Sequence, residues 1–405
     1  MWLRIFRAPQ AAAASGAAPS CRILTSAIVV AASAALLSAQ APAVRAPQGR
    51  AAAARPAPIA LEPVLEVALD EQPAAPAAFD GGGAYLPLRG GRLVAIDLAT
   101  GAVRWTTELA SSWSPGADGG LLVVAADELL TALETATGRA RWRVPVPGGL
   151  SAPPLVERGW VIAVSAAGDV LALRASDGEV VWTQKLGAAA SARPVGTATG
   201  VYVPLVDGRV VSLEPLTGVT RWERTIGGRP GDLLVLDEAV FAGADDKHFY
   251  SLDTDDGGVR WRQRVGGRPA GAAAVDDRRV YYVALDNILW AFDRGNGGRK
   301  WHEPLPVRPS GGPLVVGDMV YVAGVAAEVL AYRAETGAPA GKSSSPADLA
   351  AAPQLIPSAI PALTSIALVT RGGVFMLVAR RIEPRPSALP YPLGVEIPLS
   401  ALTGG

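Results

Sequence analysis

Between residues 61 and 380, short apolar runs alternate with turns rich in Gly, Asp and Thr, and the alternation itself recurs at a long, regular period. Residues 95–105, AIDLATGAVRW, hold one copy of it. Ala95 and Ile96 end a strand. Asp97 and Thr100 bring side chains that hydrogen-bond nearby backbone amides, and Gly101 tolerates positive φ, so residues 97–101 read as a tight turn. Trp105 then opens the next strand with a large apolar anchor. The unit returns as TATGRARW, ASDGEVVW, PLTGVTRW, TDDGGVRW and RGNGGRKW. Its tryptophans are Trp105, Trp142, Trp182, Trp222, Trp261 and Trp301, spaced by 37, 40, 40, 39 and 40 residues. Four residues before each stands a turn glycine: Gly101, Gly138, Gly178, Gly218, Gly257 and Gly297. A period near 40 predicts a repeat architecture with four short strands per unit.

Counting back from each tryptophan aligns the units. Twenty residues before it lie Tyr85, Leu122, Ile162, Tyr202, Phe241 and Tyr281, all large and apolar. Nine before lie Ile96, Leu133, Leu173, Leu213, Leu252 and Phe292; ten before lie only small residues, Ala95, Ala132, Ala172, Ser212, Ser251 and Ala291. Small beside large is what period-2 strands need when sheets pack face to face at close range. Each tryptophan is therefore expected to fill space against the neighbouring unit, with the small column making room.

Two more units are degenerate. One keeps Tyr321, Ala331, Tyr332 and Gly337 but has Gly341 in the tryptophan position; the Pro/Ser/Ala-rich stretch 338–362 after it reads as a loop with a damaged outer strand. The other, from residue 365, supplies two strands, with Ile366 in the tyrosine column and Leu377 in the leucine column. The missing strand lies at the other end of the chain. Leu65 stands twenty residues before Tyr85, in the tryptophan register, and residues 64–69 (VLEVAL) align with 181–186 (VWTQKL). A strand from one terminus that completes the sheet begun at the other closes a ring and removes its open edge. Leu65, Gly341 and the six tryptophans together predict an all-β, eight-bladed β-propeller over residues 61–380.

The flanks change the picture of where the protein works. Arg4, Arg7 and Arg22 precede an uncharged apolar run, residues 23–37, and Ala39-Gln40-Ala41 follows. This reads as a secretory signal over residues 1–41, with an uncleaved anchor as the alternative. Either way the body is exported, to the periplasm or cell envelope. Residues 42–60 are an Ala/Pro-rich linker, and 381–405 form a C-terminal tail with one strand-like segment, GVEIPLSAL. The single cysteine, Cys21, falls in the signal, so the body has no cysteine for a disulfide or a metal site. Lysine and arginine balance aspartate and glutamate at 37 each, which leaves no basic excess for nucleic acid.

The pattern A-x-D-x-x-T-G-x-x-x-W, complete at Ala95, Asp97, Thr100, Gly101 and Trp105, resembles the pyrroloquinoline-quinone (PQQ) type propeller repeat. Asp253 and Asp293 keep its aspartate; Glu134, Arg174, Glu214 and Arg333 replace it. One branch of that family, the quinoprotein dehydrogenases, implies PQQ, Ca²⁺, a vicinal cysteine pair and a catalytic Asp. This chain has no cysteine pair and is short for that branch. The other branch, the BamB-type outer-membrane protein assembly factors, is similar in length and in its eight blades. It implies a non-enzymatic scaffold without a cofactor that contacts a protein partner, such as a barrel-assembly component, through inter-blade loops. No lipobox cysteine follows the apolar run, so no direct membrane insertion of the mature chain is expected; the chain is also expected to be a monomer.

Candidate chemistry is sparse, and no catalytic, cofactor or metal residue is assigned. Asp245-Asp246-Lys247-His248 falls on a hairpin between second and third strands and suits a solvated turn. Asp253, Asp255 and Asp256 suggest a calcium loop but lack its distal glutamate and sit on the repeat's own turn. His302 has no second histidine nearby. A recurrent Arg-Pro pair is less easily dismissed: Arg193, Arg229, Arg268 and Arg308 each precede proline in a connection between blades. In a four-stranded meander these connections share a face with the second-to-third-strand hairpins, so the arginines are expected to form an arc on one rim that binds a partner. Local pairing with Asp207, Asp246 or Asp286 is the competing reading.

Overall fold

The computed structural model describes residues 61–356 and 365–380, apart from residues 112 and 237. The segments expected to be signal, linker and tail lie outside the described residues. The described chain holds no helix; it forms eight four-stranded antiparallel sheets. Blade 1 runs from Ala78–Phe79 to Val103–Glu108, blade 2 from Gly116–Asp118 to Ala140–Pro145, blade 3 from Leu155–Glu157 to Val180–Lys185, blade 4 from Val195–Gly196 to Thr220–Thr225, blade 5 from Pro230–Val235 to Val259–Arg264, blade 6 from Ala274–Val275 to Arg299–Pro304, and blade 7 from Leu314–Val316 to Pro339–Ser344. In these seven blades spatial order follows chain order. First strands of successive blades touch one another, which places them on the axis and the fourth strands on the outside. The sheets thus stand radially, as an eight-bladed β-propeller.

Blade 8 is assembled from both ends of the ring. Its inner strands are Gln354–Ile356, Ser365–Val369 and Val374–Arg380; its outer strand is Leu61–Ala68. Leu65 pairs with Leu377 and Val67 with Phe375, the closure expected from the sequence.

One three-residue row explains the column pattern. Tyr85, Ala95 and Trp105 face each other across the second, third and fourth strands of blade 1. The tyrosine and tryptophan rings lie 5.9 Å apart above the alanine, and the equivalent rings of blades 4, 5 and 6 lie 5.7–5.9 Å apart. A larger middle residue would occupy the space where the rings meet. Each indole then reaches the next blade. Trp105 donates from Nε1 to the carbonyl of Thr135 (2.9 Å), Trp142 to Ala175 (2.8 Å), Trp182 to Pro215 (2.9 Å), Trp222 to Thr254 (2.8 Å), Trp261 to Arg294 (3.2 Å) and Trp301 to Ala334 (3.1 Å). The ring meanwhile lies on that blade's turn glycine: a Cβ on Gly257, which sits at φ +69°, would stand 2.6 Å from the Trp222 ring.

The turn itself is fastened by its first residue. Asp97 accepts from the amides of Ala99 and Thr100 and the Thr100 hydroxyl, and pairs with Arg104 at 2.6 Å. The Arg104 guanidinium, with Thr100, holds the Asp97 carboxyl down to about 2. Glu214 does the same work with the amides of Leu216 and Thr217, while Arg174 reverses the charges and pairs with Asp177 and Glu179. The acids of 253–256 likewise accept turn amides: Asp253 from Asp255 and Asp256 from Gly258.

Three expectations need correction. In blade 2 the residue opposite Ala132 is Val123, not Leu122, which pairs with Leu133. The second-to-third-strand hairpin is tighter there, which shifts the count by one. In blade 8 Leu377 lies opposite Leu65 and Ala367, so Leu377 holds the small column and Ala367, not Ile366, the tyrosine column. Residues 339–344 are no damaged strand: they pair with Glu328–Arg333 along their length, with Lys342 bonded to Glu328 at 2.9 Å.

Trp222→Ala should lower unfolding stability by about 3–5 kcal/mol, by lost burial and the cavity left behind. Gly257→Ala should destabilise in the native background and cost much less when Trp222 is already Ala, as expected for residues in contact. Chemical denaturation of the two single variants and the double variant reads this coupling; equal costs in both backgrounds would show that the ring does not press on the glycine.

Candidate functional site

The connections between blades and the second-to-third-strand hairpins do share one face. The hairpin amides of Asp245, Leu285 and Val325 donate to the carbonyls of Arg229, Arg268 and Arg308. The prolines that follow, Pro230, Pro269 and Pro309, each bridge to the second strand, at Ala244, Ala284 and Gly324. Arg229, Arg268 and Arg308 therefore hold one structural position in blades 5, 6 and 7, and all three are exposed. Arg229 pairs loosely with Asp245 (3.3 Å), not with Asp246. Asp246 is engaged elsewhere, accepting from the Tyr250 hydroxyl and the His248 amide. Arg268 and Arg308 have no ion-pair partner among the described residues. His302 is an exposed strand residue stacked on Trp290, centroids 5.1 Å apart.

Arg193 does not belong to this arc. The residue equivalent to Arg229 in blade 4 is Ala189, whose carbonyl accepts from the Val206 amide. Arg193 lies further along, where the chain enters the first strand. It is half-buried, and its Nη2 donates to the carbonyls of Ser114 and Pro115 in blade 2, each at 3.2 Å, past the intervening blade 3. The shared Arg-Pro dipeptide conceals two different backbone positions.

The position that Arg193 does hold recurs around the axis. It falls two residues before the one paired with the tyrosine column, and elsewhere it carries Pro76, Ser114, Pro153, Ala272, Gly312 and Ala352. In blade 5 it carries Asp232. Two opposite charges thus stand on adjacent blades in a ring of small or cyclic neutral residues. Period-2 alternation explains why they face the channel: the next residue in each blade, such as Pro194, Leu233 or Ala273, is buried between blades. Asp232 is exposed yet enclosed by the inner strands; that enclosure raises its carboxyl pKa, with the Arg193 charge opposing. Burial lowers the Arg193 pKa, against the pull of Asp232. Beside Asp232 lies a cavity of about 540 Å³ across the inner strands of blades 5–8, lined in part by Asp232, Leu234, Ala272, Gly312, Leu314 and Leu355; Arg193 stands on the adjacent blade, outside that lining. Asp232 escaped the sequence reading, although it stands 29 residues before Trp261, as Arg193 does before Trp222. Among the described residues no group of three His, Cys, Asp or Glu side chains is placed to hold a metal ion.

The family described as outer membrane protein assembly factor BamB matches residues 89–233 and 231–351. BamB from Moraxella catarrhalis superposes with a TM-score of 0.68 at 20% identity, covering 79% of this chain and 99% of that one. Quinohemoprotein alcohol dehydrogenase from Comamonas testosteroni superposes with a TM-score of 0.64 at 16% identity, covering 83% and 79%. Sqt1 from Saccharomyces cerevisiae gives a TM-score of 0.67 at 10% identity, covering 81% and 99%. At such identities these likenesses speak to fold alone. None of the curated proteins matches the chain.

Arg193→Ala strips two buried-side carbonyls of their donor and should lower stability by about 1–3 kcal/mol. Arg268→Ala should change it by less than about 0.5 kcal/mol, as at an exposed site without partners. Melting temperatures of the two variants, measured side by side, check the separation of channel from rim.

Proposed function

The chain belongs to the outer membrane protein assembly factor BamB family, and from that membership we propose that it is an exported, non-enzymatic scaffold that holds a protein partner during envelope protein assembly. The observation that carries this reading is the repetition of one exposed arginine in three successive blades, Arg229, Arg268 and Arg308. Each sits on backbone that the hairpin hydrogen bonds fix, so its starting point in space is set while its side chain stays free. Arginine presents a planar fork of donors that fits carboxylates and is enriched where interfaces are strongest. An arc of three on a rigid rim favours a partner surface rich in acidic side chains, and rim charges of this kind raise the association rate above all.

Export follows from the signal-like residues 1–41, and the partner in this reading is a component of the outer-membrane barrel assembly apparatus. The protein acts as a monomer here, since its ring closes on its own N-terminal strand and needs no second copy to complete a sheet.

A photo-crosslinking residue placed at position 268 in the native envelope should capture a barrel-assembly component. Replacing Arg229, Arg268 and Arg308 together with Ala should cut capture of that component severalfold without lowering the melting temperature. Recovery of no assembly component would overturn the partner, and unchanged capture by the triple variant would overturn the rim. Saturable PQQ and Ca²⁺ binding with dye-linked alcohol oxidation would replace the scaffold reading with an enzyme.

A further inference from the structure

The channel pair is unlike the rim in every respect that matters for binding. Rim arginines repeat one charge on an outer edge; Arg193 and Asp232 set opposite charges at the same position of two adjacent inner strands. No ion pair joins the two, although each feels the other's charge. Arg193 commits only Nη2, to the Ser114 and Pro115 carbonyls, so the other edges of its guanidinium have no acceptor among the described residues. The Asp232 carboxylate has no hydrogen-bond donor among the described residues. A charge without a partner beside an apolar wall leaves interaction free energy that an incoming partner of opposite charge can supply. The neutral column around them shows that the inner-strand packing does not call for the Asp232 charge: the blades other than 4 and 5 hold Pro, Ala, Gly or Ser at the same place.

The space beside Asp232 suits a small ligand. Its volume of about 540 Å³ falls within the range of roughly 300–1,000 Å³ common for ligand sites. Leu234, Leu314 and Leu355 give it an apolar wall, and the glycines and alanines keep side chains from filling it. Gly271 and Gly312 come so close that a Cβ on Gly271 would strike the Gly312 backbone, so this part of the wall is fixed by backbone contact.

We propose that the channel between Arg193 and Asp232 binds a small zwitterion of the α-amino acid class, its ammonium on Asp232, its carboxylate on Arg193, and an apolar side chain against the leucine wall. A simple cation at Asp232 meets repulsion from Arg193, and a simple anion at Arg193 meets repulsion from Asp232. A molecule carrying both charges a few bonds apart satisfies both residues. The site is separate from the arginine rim, so it stands or falls independently of the partner proposed for that rim.

Calorimetric titration of the purified chain with three probes tests it: L-leucine, L-leucinamide (cation only) and N-acetyl-L-leucine (anion only). Leucine should bind saturably, with each single-charge analogue at least about tenfold weaker. Asp232→Asn removes the charge at an exposed side chain without bonds, so it should keep the melting temperature while weakening leucine about tenfold or more. Leucinamide binding as well as leucine would make this a cation site and overturn the proposal. So would leucine affinity unchanged in Asp232→Asn, or no saturable binding of any probe up to about 10 mM.

Discussion

The ring depends on one contact made over and over: an indole laid on the turn glycine of the next blade, its N–H donated to a carbonyl of the same turn. The contact joins the two features that recur at fixed spacing, and it runs between repeats. A blade alone has a tryptophan with nothing to cover and a turn with nothing covering it. Stacking satisfies both, which is why a unit of about 40 residues cannot stand by itself. The aromatic above and the small residue between belong to the same device, since the indole must lie flat enough to reach across.

The degenerate end of the chain follows from this dependence. Blade 8 receives its fourth strand from the N-terminus, so it has no third-to-fourth-strand turn. Blade 7 therefore faces a neighbour with no glycine to cover and no turn carbonyl to meet, and its tryptophan position holds Gly341. At the other side of the seam, blade 1 does have its turn, and the residue in tryptophan register is Leu65. It packs with Val67 against Gly101, close enough that a Cβ there would lie 2.8 Å from Leu65 and 3.2 Å from Val67. The closing strand thus keeps the glycine contact in aliphatic form and gives up the hydrogen bond. Tryptophan and turn are lost together because neither has a use without the other.

The same dependence decided what could be read from the chain. Spacing from Trp105 to Gly341 follows the contact that the tryptophans make, so blade number, small column and ring closure were legible. Counting failed where the hairpin inside a blade changed length, at Leu122, because a count along the chain cannot see which side of the tryptophan the missing residue comes from. It failed again at Ile366 and Leu377, where no tryptophan follows to count from. Arg193 was grouped with Arg229 on a shared dipeptide, and dipeptides do not repeat with the blade. The tryptophan count, extended 29 residues back, places Arg193 beside Asp232 and away from Arg229. The legible signal for the channel was therefore present, in the ruler that had already worked.

Propeller folds leave function to the few positions that the packing does not claim. Between blades every position is claimed, since a side chain there must fit both neighbours. On the rim the backbone is fixed by hairpin bonds while the side chain is free, so one residue type can repeat cheaply, as Arg229, Arg268 and Arg308 do. Along the channel the constraint reverses. Eight inner strands converge, side chains crowd, and small residues or proline are the default; a pair of charged residues there displaces the default in two adjacent blades. Repetition suits a surface that must meet another extended surface, and a single break in the repeat suits a site that must meet one small molecule. A ring with eightfold packing can carry both at once, because the tryptophan contacts that hold it together use neither the rim nor the channel.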